Sequence, residues 1–248
     1  MAPDATTTQV LVTGAASGQG RTFLEHYAAL AGYKVAGIDA RPWPQSAILP
    51  ASTQFAQVDV TDETSVKTFL TSCDAFDLVI HSAGIRGLVP AVEDAHPDDV
   101  AAAETLAVMD AATMLRTYEV NAVGTFTLLK HLIPVLRRDA ARPPRVVIMS
   151  SRMGSMSYNT TGGAYAYRAS KAALNAIMRS FSIDVPDVCF AGVHPGRVET
   201  GLVKTREEGA ISTEESVGTM LEVIEKLGVE GGLKSGCFVD RWGNDIGW

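Results

Sequence analysis

Short apolar runs alternate along this chain with longer stretches in which apolar residues recur every three or four positions. The runs at 9–13, 34–39, 55–58, 78–81, 145–149, 188–194 and 236–238 read as strands, too continuously apolar for a sheet with one wet face. The periodic stretches at 19–31, 62–72, 111–137, 167–181 and 213–227 read as crossover helices. Strand and helix in regular alternation predict βαβ units, hence an α/β fold with a parallel sheet covered on both faces. No composition shift, repeat or low-complexity tract interrupts the rhythm, so residues 1–248 read as one domain. Two segments fall outside it, 84–110 and 196–212. Both follow strand C-termini, where open parallel sheets bind ligands, so they are expected to wall a substrate site, the second as a small lid over a fairly open mouth. The acidic stretch VEDAHPDD in the first reads as solvated surface.

Composition narrows the class. Apolar residues make up 46% of the chain and the mean hydropathy is +0.11, enough material for a large core and incompatible with global disorder. Lys and Arg number 21 against 28 Asp and Glu, a net charge of −7, and all of the excess acid lies in residues 1–100. A nucleic-acid partner is not expected, since neutralising phosphates needs a basic face. No apolar run approaches membrane-spanning length, and the start MAPDATTTQ has neither a basic nor an apolar signal region, so a cytoplasmic protein without a membrane partner is expected. Cys73, Cys189 and Cys237 form no CxxC pair and the histidines share no ligand spacing; reduced thiols and no metal site follow.

Candidate chemistry begins where the first strand meets the first helix. Thr13 runs into Gly14-Ala15-Ala16-Ser17-Gly18-Gln19-Gly20, a strand, glycine turn and helix start that suits a pyrophosphate resting on unpaired helix N–H groups. Asp39 ends the second strand about 20 residues later, where a carboxylate can accept hydrogen bonds from an adenosine ribose; a turn or capping role is the alternative. Farther on, Tyr167 and Lys171 stand four apart at a helix start and share one face. A phenol with a pKa of about 10 needs a neighbouring cation before it exchanges protons readily at neutral pH, which makes the pair a candidate general acid and base.

TGAASGQG, Asp39, Asp59, SAG, Asn121, SS, YRASK and HPGRVET follow the order and spacing of the short-chain dehydrogenase/reductases, and the resemblance covers essentially the whole chain. Within that family the chain is similar to the short C-factor-like and carbonyl-reductase-like members, through SSRMGS, GGAYAYRASKAALN and CFVDRWGNDIGW. The resemblance implies a single Rossmann-type three-layer domain with a seven-stranded parallel sheet, a nicotinamide cofactor, and hydride transfer between a carbonyl and an alcohol on a small or medium substrate.

It also implies roles. Tyr167 protonates the ketone oxygen or takes the alcohol proton, Lys171 lowers the pKa of that phenol and bonds the nicotinamide ribose, and Ser151 polarises the substrate oxygen. Ser151 lies 16 residues before Tyr167, longer than the family's usual interval, with the extra residues expected to bulge in SYNTTGG; Ser150 and Ser155 remain rivals. Asn121 matches the asparagine that holds a water for proton relay, with a buried helix-bending residue as the alternative. Asp59 and Val60 match the adenine contacts, although Asp59 could instead cap the next helix in competition with Thr61 or Asp62. Ser82-Ala83-Gly84 takes the ribose-side position, Pro195-Gly196 turns the chain, and Val198 with Thr200 matches the carboxamide-binding segment. Two departures stand out. His81 and Ser82 replace the common Asn-Asn, with His81 expected to be packed, and Gln19 puts a polar group beside the pyrophosphate.

Asp39 favours NAD over NADP, since a 2′-phosphate would bring like charges together. NADP stays possible if Arg41 draws the carboxylate outward and receives the phosphate. A homodimer or homotetramer is implied by the family, and Val123, Phe126, Leu129, Leu174, Met178 and Phe181 supply more apolar positions than one sheet-facing stripe requires. The alternative to an enzyme is a cofactor-binding relative with a sensing, signalling or other non-redox role.

Overall fold

In the computed structural model, which describes residues 7–138 and 142–248, seven parallel strands form one sheet in the order β3-β2-β1-β4-β5-β6-β7. They are β1 (Thr8–Thr13), β2 (Tyr33–Asp39), β3 (Thr53–Gln57), β4 (Leu78–His81), β5 (Arg145–Met149), β6 (Cys189–His194) and β7 (Cys237–Asp240). All seven expected strands are present, with ends displaced by a few residues at most.

The central strands β1, β4, β5 and β6 read as continuously apolar because they bury both faces, whereas the edge strand β3 has no fully buried residue. Val10 and Val12 of β1, Leu78 and Ile80 of β4, and Val147 and Met149 of β5 point to one core with α1 (Gly18–Ala28) and α7 (Thr213–Lys226). Leu11, Val79, Val146 and Ile148 point to the other, against α2 (Glu63–Thr71), α5 (Gly124–Leu132) and α6 (Tyr165–Asp184). The result is the three-layer Rossmann-type arrangement. Local chemistry places the helix starts: Asp62 accepts from the Thr64 and Ser65 N–H groups to cap α2, and Ser212 accepts from Glu215 to cap α7.

One expectation needs correction. The segment 111–137 is not one helix. It divides into α4 (Ala111–Tyr118), a π turn over Glu119–Val123, α5, and a 3-10 turn over Ile133–Val135. Gly124 N–H reaches back to the Glu119 carbonyl, and a Cβ on Gly124 would come within 2.8 Å of Val60, so the helix widens where it presses on the strand-end loop. The 84–110 segment also contains a short helix, α3 (Pro90–Ala95), and a 3-10 turn at Ala101–Glu104, built over buried Ala103. Among the described residues no helix is long and apolar enough to cross a membrane.

Candidate active site

The C-terminal ends of β1, β2, β4, β5 and β6 open into one elongated cavity of about 700 Å3. The glycine turn, Asp39, Asp59 and Val60 line one half and Ser151, Tyr167 and Lys171 the other, with Ser82, Ala83 and Gly84 between them. Pro195, Gly196, Val198 and Thr200 close it from the β6 side. Every expected site residue except Gly20 and Asn121 touches this space. Gly20 lies behind it, where a Cβ would come 2.2 Å from the Gly14 carbonyl oxygen; only glycine lets the turn fold this tightly.

At the β2 end, Asp39 is 7% exposed and pinned. Its Oδ2 accepts from Ala16 N–H at 3.0 Å and its Oδ1 from Arg41 N–H at 2.9 Å. Arg41 comes to the carboxylate: its Nε lies 3.5 Å from Asp39 Oδ1 while Nη2 donates to Ser17 Oγ at 2.6 Å. Asp59 is free of helix capping, since Asp62 caps α2; its Oδ1 accepts from the N–H and hydroxyl of Thr61. Gln19 lines the cavity while its Nε2 donates to Ser216 Oγ at 2.8 Å, which in turn donates to the Pro195 carbonyl. That chain ties the glycine turn to the turn after β6.

Geometry separates the three serines. Ser150 donates to Asn175 Oδ1 at 2.6 Å, and Ser155 is spent on the Gly247 carbonyl and the Tyr158 N–H. Ser151 accepts from Met153 N–H at 3.1 Å and faces the Tyr167 hydroxyl. The long interval between them is taken up as expected, by a bulge in which Gly162, Gly163 and Ala164 all have positive φ.

Lys171 is buried and donates to the Met149 carbonyl at 2.7 Å, and burial lowers its pKa to about 8. The Tyr167 phenol is raised above its ordinary 10 by burial; the strongest opposing pull comes from Arg86, followed by the Ser151 hydroxyl, while Glu104 and Glu207 push it further up. Asn121, fully buried in the π turn, clamps the neighbouring loop: Oδ1 accepts from Ile85 N–H at 2.8 Å, and Nδ2 donates to the Ile85 carbonyl and to Ser170 Oγ, each at 2.9 Å. A Cβ on Gly84 would sit 3.0 Å from Asn121 Oδ1 and 3.6 Å from Lys171 Nζ, so glycine lets these groups close up.

His81 is packed as expected, and its protonation follows from its partners. Thr125 spends its only proton on the Asn121 carbonyl at 2.7 Å, so it accepts from His81 Nε2 at 2.8 Å. Burial keeps the ring neutral, with its pKa lowered to about 3, so the bare Nδ1 accepts from the Thr13 hydroxyl at 2.7 Å. Ala83 N–H then donates to Thr13 Oγ1 at 3.1 Å, completing a link from the glycine turn to the π turn.

Arg86 and Glu104 were not anticipated. Arg86 donates to Glu104 through Nε and Nη2 at 3.0 and 2.9 Å, and its guanidinium carbon lies 4.9 Å from the Tyr167 ring centroid. Nothing in the spacing joins positions 18 apart in an irregular loop. The acidic stretch is largely exposed, as expected, and within it Glu93 and Asp94 pair with Lys204 from the opposite loop across the two walls.

Comparison with known proteins gives the family and the fold. Residues 8–210 match the family described as short chain dehydrogenase. The chain is 39% identical over 174 residues to the C-signal of Myxococcus xanthus, covering 69% of this chain and 92% of that protein. It is 31% identical to a 1-hydroxy-2-glutathionyl-2-methyl-3-butene dehydrogenase from Rhodococcus sp. (strain AD45), over 77% of this chain and 78% of the relative. Among solved structures, an NADPH-bound carbonyl reductase from chicken fatty liver superposes with a TM-score of 0.80 at 28% identity, covering 98% of this chain and 99% of that one.

Proposed function

We propose that this chain, which belongs to the short-chain dehydrogenase family, is a nicotinamide-dependent oxidoreductase interconverting a carbonyl and an alcohol on a small or medium organic substrate, with Tyr167 as general acid and base. The observation that carries this reading is the convergence of Ser151, Tyr167 and Lys171 in the same cavity as the glycine turn and Asp39.

The residues present fit a dinucleotide. The glycine turn offers bare backbone, the cavity is of ligand size, and carboxylates stand at both expected adenosine positions, Asp39 and Asp59. Gly14, Ser17 and Gly18 would receive the pyrophosphate with Gly20 shaping the turn behind them, Asp39 the adenosine ribose, Asp59 and Val60 the adenine. Ser82, Ala83, Gly84 and Lys171 would hold the nicotinamide ribose side, and Pro195, Gly196, Val198 and Thr200 the carboxamide. When bound, the nicotinamide supplies or accepts the hydride. The protein's part is the proton. Ser151 and Tyr167 bracket the substrate oxygen, Ser151 donating a hydrogen bond as charge develops and Tyr167 giving up its proton. Lys171, with its pKa near the working range and no carboxylate partner among the described residues, returns a proton toward the phenol along the side held by Asn121. NAD(H) is the preferred cofactor because Asp39 is tied by two backbone N–H groups and cannot leave its place without losing both. NADP(H) remains a weaker ligand through Arg41. The chain acts as a homodimer or homotetramer in the cytoplasm.

The C-signal relative favours one alternative, a cofactor-binding protein with a signalling role. Fluorescence titration with NADH followed by absorbance assays on a carbonyl panel separates the two. Turnover that Tyr167→Phe abolishes supports the enzyme, whereas cofactor binding without turnover on any carbonyl, or turnover indifferent to Tyr167→Phe, overturns it.

A further inference from the structure

We infer that the Arg86–Glu104 ion pair tunes the proton affinity of Tyr167, with Arg86 as a positioning residue whose cation stabilises the phenolate and Glu104 as the counter-charge that holds it and limits its effect. The inference rests on Tyr167 being the acid and base.

Distance is the first support. The guanidinium carbon of Arg86 lies 4.9 Å from the Tyr167 ring centroid, whereas Lys171 Nζ lies 5.7 Å away. Permanence is the second. Arginine does not lose its proton in a protein, whereas Lys171 is buried, donates to the Met149 carbonyl, and has its pKa lowered to about 8 by that burial. A cation that must hold its charge through the whole proton cycle is better supplied by Arg86. Its fixed position is the third. Both Arg86 and Glu104 side chains are nearly buried, 13% and 12% exposed, and joined by two parallel bonds, a geometry that restrains the guanidinium plane. Arg86 Nη1 also reaches Met153 Sδ at 3.3 Å, and Met153 N–H donates to Ser151 Oγ. The guanidinium is therefore held both by Glu104 and by Met153.

Glu104 has a second hold on the same place. Its backbone carbonyl accepts from Ala164 N–H at 2.9 Å, and Ala164, at φ 47°, is the left-handed residue from which α6 starts, three positions before Tyr167. The charged and polar groups facing the phenol are thus Lys171 from α6, Ser151 after β5, Arg86 and Glu104 from the 84–110 wall, and Glu207 from the 196–212 wall. An ion pair that merely fastened a loop would leave the phenol's titration unchanged when altered. A tuner must move it in opposite directions when the cation or the anion is removed.

The test titrates Tyr167 by the ultraviolet absorbance of its phenolate, as the difference against Tyr167→Phe in each background. It also follows the pH dependence of kcat/KM for alcohol oxidation. Arg86→Gln should raise the midpoint by about one unit, Arg86→Lys should return it most of the way, and Glu104→Gln should lower it. Equal midpoints in all variants, or shifts of one sign in both Arg86→Gln and Glu104→Gln, overturn the inference. If circular dichroism shows Arg86→Gln to be unfolded, Glu104→Gln decides: a downward shift supports tuning, and no shift or an upward one refutes it. Failure of the wild type to turn over any carbonyl would refute the proposed function while the absorbance titration still decides the tuning.

Discussion

Ser150 and Ser151 are neighbours in the chain with opposite commitments. The extended backbone after β5 turns Ser150 inward, where it donates to Asn175 Oδ1 at 2.6 Å, and turns Ser151 outward, to Tyr167 and the cavity. Ser151→Ala and Tyr167→Phe should each lower kcat/KM for carbonyl reduction by roughly 10²- to 10⁴-fold while the dissociation constant for NADH changes little. Ser150→Ala should instead lower stability, because it leaves buried Asn175 with an unused acceptor, and should spare the chemical step. Steady-state kinetics with denaturant titration distinguishes these outcomes. A chemical defect in Ser150→Ala would contradict the assignment.

Cofactor choice turns on Asp39 and Arg41. With the carboxylate pinned and the guanidinium beside it, NADH should bind roughly tenfold more tightly than NADPH, a difference of about 1.4 kcal/mol. Arg41→Ala should widen that ratio by removing the cation that stands beside Asp39 and Ser17, while Asp39→Asn should narrow or invert it. Dissociation constants for both cofactors and both variants are the measurement. Tighter NADPH binding by the wild type would transfer the recognition to Arg41.

Buried His81 and part-buried His194 predict an acid limit to stability. The pKa of His81 falls from the ordinary 6.5 to about 3, and that of His194 to about 4, in both cases chiefly through burial. Above pH 6.5 neither state of the protein protonates these rings. Below it the unfolded chain takes up protons that the folded one refuses, so stability falls as pH drops from 6.5 toward 3, by up to about 1.4 kcal/mol per pH unit for each histidine. His81→Asn should be less stable than wild type at pH 7, having lost the Thr13–Thr125 bridge, and should show a shallower decline between pH 6.5 and 4. Urea unfolding across that range tests it; parallel slopes for the two proteins would refute the role of His81.

Self-association should use the outer face of α4 and α5. Leu129, Leu174 and Met178, expected to contribute, are instead buried in the chain's own core, whereas Val123 and Phe126 are 44% and 46% exposed beside Leu115 at 70% and Tyr118 at 45%. Phe126 packs on Phe181 with centroids 5.9 Å apart, so the exposed patch continues onto α6. Light scattering at micromolar concentration should return a multiple of 26.3 kDa, and Phe126→Asp should shift it toward the monomer. A wild-type monomer would refute this.

By itself the sequence determined the layers of this protein and the two ends of its cavity. Continuous apolar runs mean strands buried on both faces, helical periodicity means crossovers, and both are local constraints that short windows carry. The glycine turn, Asp39, and Tyr167 with Lys171 were legible for the same reason: each is a fixed spacing tied to one turn or one helix face. Only the tertiary structure decided which serine faces the phenol, that Gln19 is spent on Ser216, that Asn121 sits in a π turn, and that Arg86 lies over Tyr167. These depend on contacts between positions far apart in the chain, such as Asn121 with Ser170 or Lys204 with Asp94. No periodicity links such pairs. They meet because the parallel sheet delivers successive loops to one edge, and side-chain reach and hydrogen-bond satisfaction then settle which groups remain for chemistry.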